Sequence, residues 1–194
     1  MALPPDSAPP QFTSLTDYRF RPMRLDDLDQ VVAIDQLSFS MPWPASAYRY
    51  ELLENPMSLL WVAEVVADGR PAEIVGVIVV WLILDEAHIA TLAVHPDYRQ
   101  RGLGSRLIVE AMKDAIRKGA HSATLEVRAG NLKAQSVYRH FHYEVVGVRP
   151  RYYRDNNEDA LIMTADHLDQ AYLEWLESEA WLAEKTHSDS DRRA

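Results

Sequence analysis

The sequence predicts a mixed α/β fold in which one mostly antiparallel sheet carries flanking helices. Three observations lead there. Strand-like segments between residues 59 and 94 follow one another with short turns, as in a meander. Residues 103–119 then show the clearest helical periodicity in the chain. Beyond them, strand and helix patterns alternate as far as residue 165. The predicted order is β-α-α-β-β-β-α-β-α-β-β.

Within residues 1–16, "MALPPDSAPPQFTS" is proline-rich and weakly apolar, which predicts a disordered leader. A domain is expected over 17–165. It opens on a strand, Tyr18–Met23. "RLDDLDQVVAIDQLSF" begins with acids, which favour a helix N-terminus, and Leu28, Val31 and Ile34 follow at helical spacing. "MPWP" ends that helix, because two prolines cannot continue it. A shorter helix, Ala45–Glu54, stops before Pro56. Strands follow over 59–67, 74–84 and 86–94, the first two joined by the turn "DGRPAE" and the third ending at His95-Pro96. In the helix over 103–119, Leu107, Ile108, Ala111, Met112, Ala115 and Ile116 form one stripe, and Gly119 stands where a C-terminal cap belongs. "SATLEVR" reads as a strand, "NLKAQSVYRHF" as a helix and "YEVVGVR" as a strand, and "DALIMTA" closes the sheet. An acidic amphipathic helix is expected over 166–185, with Leu168, Tyr172, Trp175 and Leu176 on one face, then a disordered tail over 186–194.

Composition narrows the chemistry. Of 194 residues, 47% are hydrophobic and 25% charged, as in ordinary globular chains. The net charge of -9 argues against nucleic-acid binding, which needs a basic surface. It suits a cationic partner such as an amine or a basic peptide, and equally suits solubility alone. The chain has no cysteine, which excludes a disulfide framework, a cysteine zinc site and a cysteine nucleophile. No His pair has the spacing of a helical metal site, and no metal is expected. The longest apolar run, Ile74–Leu84, is too short for a membrane helix, and no secretion signal is legible, so the expected location is cytoplasmic.

"HPDYRQRGLGSRL" raises a sharper question. Gly102 and Gly104 stand between a strand and a strong helix, where free N–H groups meet the positive end of the helix dipole. Glycines let phosphates come close to those groups, and Arg99, Arg101 and Arg106 add positive charge nearby. The P-loop is excluded, since no Gly-Lys-Ser/Thr occurs. The dinucleotide fingerprint is excluded because Leu107 takes the place of its third glycine and the context reads as a meander, not a parallel βαβ unit. What remains is Arg99-x-x-Gly102-x-Gly104. This resembles the acyl-CoA-binding motif of the GNAT superfamily of N-acetyltransferases. "TLAVHPDYRQRGLGSRL" and "LEVRAGNLKAQSVY" together resemble the branch that acetylates the N-terminal alanine of a ribosomal protein, over roughly residues 18–165.

The resemblance implies acetyl-CoA as co-substrate. Leu92, Ala93 and Val94 would pair with its pantetheine arm. The backbone of Gln100, Arg101, Gly102, Leu103, Gly104 and Ser105 would hold its pyrophosphate. Asn131 matches a cofactor contact, although an N-cap explains it equally well. Glu126 matches the family's general base and would act through one water; a solvent-facing strand carboxylate is the plain alternative. Tyr138 matches the acid that protonates the sulfur, and its periodicity also suits a core aromatic. The Val94 N–H is the expected donor to the oxyanion. Trp43, Tyr152 and Tyr153 could wall an apolar slot for a peptide, or pack as plain hydrophobics. His88 and His95 read as strand and turn residues. His142 stands where the family has glycine, which implies strain or a rebuilt turn. The implied activity is acetyl transfer to a protein or peptide N-terminus by direct attack in a ternary complex, by a monomer or weak homodimer, with a ribosomal protein among the candidate partners. A small-molecule amine acetyltransferase and a non-catalytic CoA-binding module stay open as alternatives.

Overall fold

The computed structural model describes residues 17–65 and 72–183. The predicted leader and disordered tail, most of the "DGRPAE" turn and the last two residues of the strand predicted over 59–67 lie outside those residues. Seven strands form one sheet: β1 (Tyr18–Pro22), β2 (Ser58–Val65), β3 (Glu73–Ile83), β4 (Glu86–Val94), β5 (Ser122–Arg128), β6 (Glu144–Tyr153) and β7 (Glu158–Ala165). Among the described residues the longer helices are α1 (Leu28–Ser38), α2 (Ala45–Leu53), α3 (Leu103–Arg117), α4 (Leu132–His140) and α5 (Gln170–Glu177). The predicted element order holds, with ends shifted by a few residues. β6 gains the most, running on past Arg149 to Tyr153.

The sheet order is β1-β2-β3-β4-β5-β7-β6. Thus β7 does not close the sheet as predicted. It inserts between β5 and β6, and β6 is the edge. All pairings are antiparallel except that of β4 with β5. The unit β4-α3-β5 is therefore a parallel βαβ unit, contrary to the expectation used above against a dinucleotide fold. The missing third glycine carries that exclusion alone.

Alternation along the strands sorts side chains into two cores. One holds Leu107, Ile108, Ala111 and Met112 of α3 with Leu125, Val127, Tyr138, Phe141 and the α5 residues Tyr172 and Leu176. The other holds Val31 and Ile34 of α1 with Tyr48 of α2 and Val77, Val79 and Ala93. The sheet is thus sandwiched, with α1 and α2 on one face and α3 to α5 on the other. The predicted C-terminal helix is shorter than expected. Asp169 caps it by accepting from Tyr172 N at 2.9 Å. It breaks at Glu179, whose φ of 59° is left-handed, and residues 180–183 are helical again.

Candidate active site

The parallel pairing of β4 with β5 runs only from Glu86–Ser122 to Ile89–Leu125. Beyond that rung the strands diverge. β4 also carries a bulge there: Val79 faces Thr91 while the adjacent Val80 faces Ile89, so Ala90 is the extra residue. The result is a split in the middle of the sheet. His95 N donates to Val75 O at 2.9 Å. Antiparallel bonding alternates along a strand, so Ala93 spends its main chain on β3, while Leu92 and Val94 turn theirs into the split. The Val94 carbonyl accepts from Arg99 Nε at 2.9 Å, and its N–H is turned the same way. Of the three residues predicted to pair with a ligand, the main chains of Leu92 and Val94 are placed to do so; that of Ala93 is not.

At the end of the split stands the mouth of α3. Gly102 is left-handed, with φ 80° and ψ 0°, a conformation that favours glycine. Gln100 also has positive φ, at 63°. Such alternation turns successive N–H groups toward one side. The first bond closing the helix runs from Arg106 N to Gly102 O at 3.0 Å, so the N–H groups of Leu103 and Gly104 precede it. Gly104 is different from Gly102. It has no positive φ, and a Cβ there would lie 3.9 Å from Val94 Cγ2 and 4.0 Å from Leu92 Cδ2, which is ordinary contact. Neither conformation nor packing asks for glycine at 104. A small residue there keeps the helix mouth open beside the split, which fits a phosphate-bearing ligand.

The arginines beside the mouth are held by hydrogen bonds within the chain. Arg99 bridges the Val94 carbonyl and the Ser38 hydroxyl, the latter at 3.1 Å. Arg101 donates to Asp97 O at 2.9 Å and lies against Tyr98. Arg106 pairs with Glu110 at 3.0 Å and with Glu179. Arg106 is thus balanced by carboxylates, whereas Arg99 and Arg101 donate only to neutral acceptors and keep their positive charge beside the mouth. Asn131 caps α4 as its local sequence suggests, accepting from Ala134 N at 3.1 Å. Gln135, which the sequence did not single out, is buried and donates to the carbonyls of Arg128 and Ala129 at 3.1 and 2.9 Å, fixing the turn from β5 to α4.

Glu126 is the first β5 residue past the last rung shared with β4. Leu125 and Val127 enter the α3-side core, so Glu126 faces the α1 side. Its side chain is only 10% exposed and has two partners. Nε2 of His88 lies 3.2 Å from Oε2, and a terminal nitrogen of Arg149 lies 3.0 Å from Oε1. His88 stacks on Trp81 at 5.6 Å, and Trp81 stacks on Trp43 at 6.0 Å. On the other side, Arg149 lies over Tyr152, Tyr152 meets Tyr153 at 5.3 Å, and Tyr153 stacks under Arg128 at 3.9 Å. Arg128 pairs with Asp155 at 2.8 Å and Glu158 at 3.1 Å, and Asp155 accepts from Ser40. Since Ser40 and Trp43 share the α1–α2 loop, these contacts form a ring around the approach to Glu126. Buried Asp35 shapes that loop, accepting from Trp43 N at 2.6 Å and from the Tyr48 hydroxyl at 2.7 Å. Its carboxyl is raised because burial outweighs both bonds.

Tyr138 enters from α4 into the α3-side core, on the face of the sheet opposite Glu126. Burial raises its phenol well above the usual tyrosine range, and nearby Tyr153 adds to the shift. Tyr153 is itself raised to about 12, chiefly by burial, with Glu126 among the contributors. Both phenols therefore carry their protons at neutral pH. The predicted strain at His142 is present: its φ is 63°. The ring stacks on Trp175 at 4.9 Å and meets Tyr172 edge-on at 5.8 Å, so α5 holds the turn that follows α4.

His88 and Arg149 are the partners of Glu126 that sequence reasoning missed. Local alternation marks which face each occupies, but not that β4, β5 and β6 bring them to one carboxylate. Among the described residues no helix is long and apolar enough to cross a membrane.

Comparison with known proteins agrees with this fold. A Bacillus subtilis (strain 168) protein, provisionally named a ribosomal protein bS18-alanine N-acetyltransferase, is 41% identical over 143 residues, covering 74% of this chain and 91% of its own. An N-alpha-acetyltransferase of Sulfurisphaera tokodaii is 32% identical over 164 residues, covering 77% and 93%. Among solved structures, the ribosomal-protein-S18-alanine N-acetyltransferase of Escherichia coli superposes with a TM-score of 0.68 at 26% identity, covering 77% of this chain and 94% of that one. Ard1 of Thermoplasma volcanium gives a TM-score of 0.70 at 27% identity, covering 79% and 99%. Residues 28–143, which include the split, the α3 mouth, Glu126 and Tyr138, match the acetyltransferase (GNAT) family, and the chain belongs to that family.

Proposed function

We propose that this enzyme transfers acetyl from acetyl-CoA to the α-amine of a protein N-terminus, by direct attack in a ternary complex. The names of its relatives make an N-terminal alanine of ribosomal protein bS18 the first acceptor to test, and such a substrate puts its work in the cytoplasm. The observation that carries the reading is the position of Glu126. It stands where β4 and β5 part, with the α3 mouth at the far end of the split and the protonated Tyr138 phenol buried on the opposite face of the sheet.

Acetyl-CoA, when bound, supplies an acetyl thioester. Leu92 and Val94 would pair with its pantetheine arm, and the backbone from Gln100 to Ser105 would take its diphosphate, with Asn131 close by. Glu126 accepts the proton that the acceptor ammonium must lose before it attacks, directly or through one water. His88 and Arg149 hold that carboxylate in place. The Val94 N–H donates to the acyl oxygen as charge builds there. Tyr138 passes its proton to the departing sulfur. With no cysteine in the chain, no acyl-thiol enzyme can form. Trp43, Tyr152 and Tyr153 border the acceptor slot.

The test is CoA release with mass spectrometry on an alanine-led peptide, the same peptide with a blocked N-terminus, and spermidine. Acetylation confined to the free α-amine supports the reading. Turnover of spermidine alone would sink it in favour of a small-molecule acetyltransferase. Acetyl-CoA binding with no turnover on any acceptor would leave a binding module.

A further inference from the structure

We infer that the acceptor chain, past its first residues, lies on the bare α1-side face of β4, β5, β7 and β6, where Glu144 and Glu86 receive basic side chains at its third and fifth positions. The inference rests on the N-terminal reading above and deepens it. Among the described residues, the α1-side core takes its strand members from β2, β3 and β4 alone, so α1 and α2 leave β5, β7 and β6 uncovered on that side. On the other side Ala123, Leu125, Met163 and Ala165 are buried under α3 to α5. Their alternates Ser122, Thr124, Ile162 and Thr164 are only half-buried and form a floor that leads away from Glu126. His88, Thr124, Thr164 and Glu144 make one row across it, and Glu86 and Ser122 stand in the next.

Charge and shape name the occupant. The arginines on this side are already matched, Arg149 by Glu126 and Arg128 by Asp155 and Glu158. Glu86 and Glu144 stand in no ion pair among the described residues. Trp81, opposite His88, donates to Glu51 of α2 at 3.0 Å, which brings a third carboxylate to the flank. Ile83, opposite Glu86, is 51% exposed and offers a surface for the aliphatic stem of a lysine or arginine. A second copy of the chain fits badly, since a two-fold contact would set acidic patch on acidic patch. Spacing sets the positions. The first row lies about 7 Å from Glu126 along β5 and the second about 13 Å. An extended chain advances about 3.4 Å per residue. With the terminal amine at Glu126, its third residue meets the Glu144 row and its fifth meets the Glu86 row.

The experiment uses Ala-led decapeptides that carry two lysines, two glutamines or two glutamates at the third and fifth positions, and a fourth with its lysines at the eighth and tenth. Wild type should prefer the inner-lysine peptide to the glutamate peptide on the order of tenfold in kcat/KM, mainly through KM and less at high salt. The glutamine and outer-lysine peptides should fall together between them. Glu86→Gln and Glu144→Gln should each remove about threefold of the preference, and Glu86→Lys should reverse it at the fifth position. Glu174→Gln, on α5 behind the sheet, should leave it intact. Lysine that helps equally at inner and outer positions, or a Glu174→Gln variant that behaves like Glu86→Gln, marks attraction by the net charge of -9 alone and overturns the inference. So does a wild type indifferent to the four peptides. If the lysine variant does not fold, the glutamine variants decide. A wild type that acetylates none of the peptides sinks the N-terminal reading as well, whereas peptide turnover without preference sinks the docking face alone.

Discussion

Enlarging residue 104 is expected to weaken acetyl-CoA binding without harming the free protein. A Cβ there makes only ordinary contacts with Val94 and Leu92, and the backbone needs no left-handed conformation. Gly104→Ala should therefore stabilise the free enzyme, by about 0.5 kcal/mol from helix propensity and reduced unfolded-state entropy. For a chain of this size that is a rise in Tm of roughly 1–2 °C. Each added carbon also projects from the α3 mouth toward the proposed ligand. Alanine should cost little affinity. Gly104→Leu should push the diphosphate off at least one backbone N–H, and losing one such bond to a charged group raises Kd on the order of tenfold or more. Gly102→Ala is the contrast. Its φ of 80° makes a side chain cost about 1–2 kcal/mol, so the free protein should melt several degrees lower. Thermal unfolding without ligand and calorimetry with acetyl-CoA measure the two effects separately. A Gly104→Leu variant that binds as tightly as wild type, or a Gly104→Ala variant less stable than wild type, would refute the reasoning.

Other outcomes follow from the same geometry. Glu126→Gln should lower kcat/KM by about 10²-fold or more while calorimetric affinity for acetyl-CoA stays put; an unchanged rate would remove Glu126 as the base. Tyr138→Phe should lower kcat by a comparable factor, and a rate equal to wild type would return Tyr138 to a purely structural part. Burial also links the tyrosines to alkaline stability. Tyr98 and Tyr153 are raised to about 12 in the fold, while an unfolded tyrosine ionises near about 10. The unfolded chain then binds fewer protons than the native one, so stability is complete below about pH 10 and falls as pH climbs toward 12. Urea midpoints that stay flat from neutral pH to pH 11 would contradict this. At the turn after α4, His142→Gly relieves a left-handed side chain but loses stacking on Trp175, terms of about 1 kcal/mol each, and should be nearly neutral. In a Trp175→Ala background the same change should stabilise. Strict additivity between the two substitutions, measured by denaturant titration, would separate His142 from α5.

Much of this protein was legible along the chain because the signals are local. A stripe at helical spacing marked α3, two prolines ended α1, and Asn131 announced the start of α4. Gly102 was readable as a turn residue, and alternation in "TLEVR" put Glu126 on the face away from Leu125 and Val127. The strain at His142 was foreseeable from one residue standing where the related pattern has glycine. Misreadings arose wherever partners lie far apart in sequence. A meander pattern does not reveal that β4 pairs in parallel with β5, nor that β7 slips between β5 and β6, since strand patterns specify faces and not neighbours. That Arg106, near the glycine motif, is balanced by Glu179 was hidden for the same reason, since that carboxylate comes from beyond α5.

Sequence by itself settled the order of elements, the helix mouth with its two glycines and the faces on which Glu126 and Tyr138 stand, because periodicity, capping and backbone permissiveness act over a few residues. Tertiary structure alone decided where the sheet splits, that Ala90 bulges at that point, and that His88 and Arg149 converge on Glu126 from β4 and β6. Those outcomes depend on which distant strands satisfy one another's hydrogen bonds and bury one another's faces, and no local pattern carries that choice.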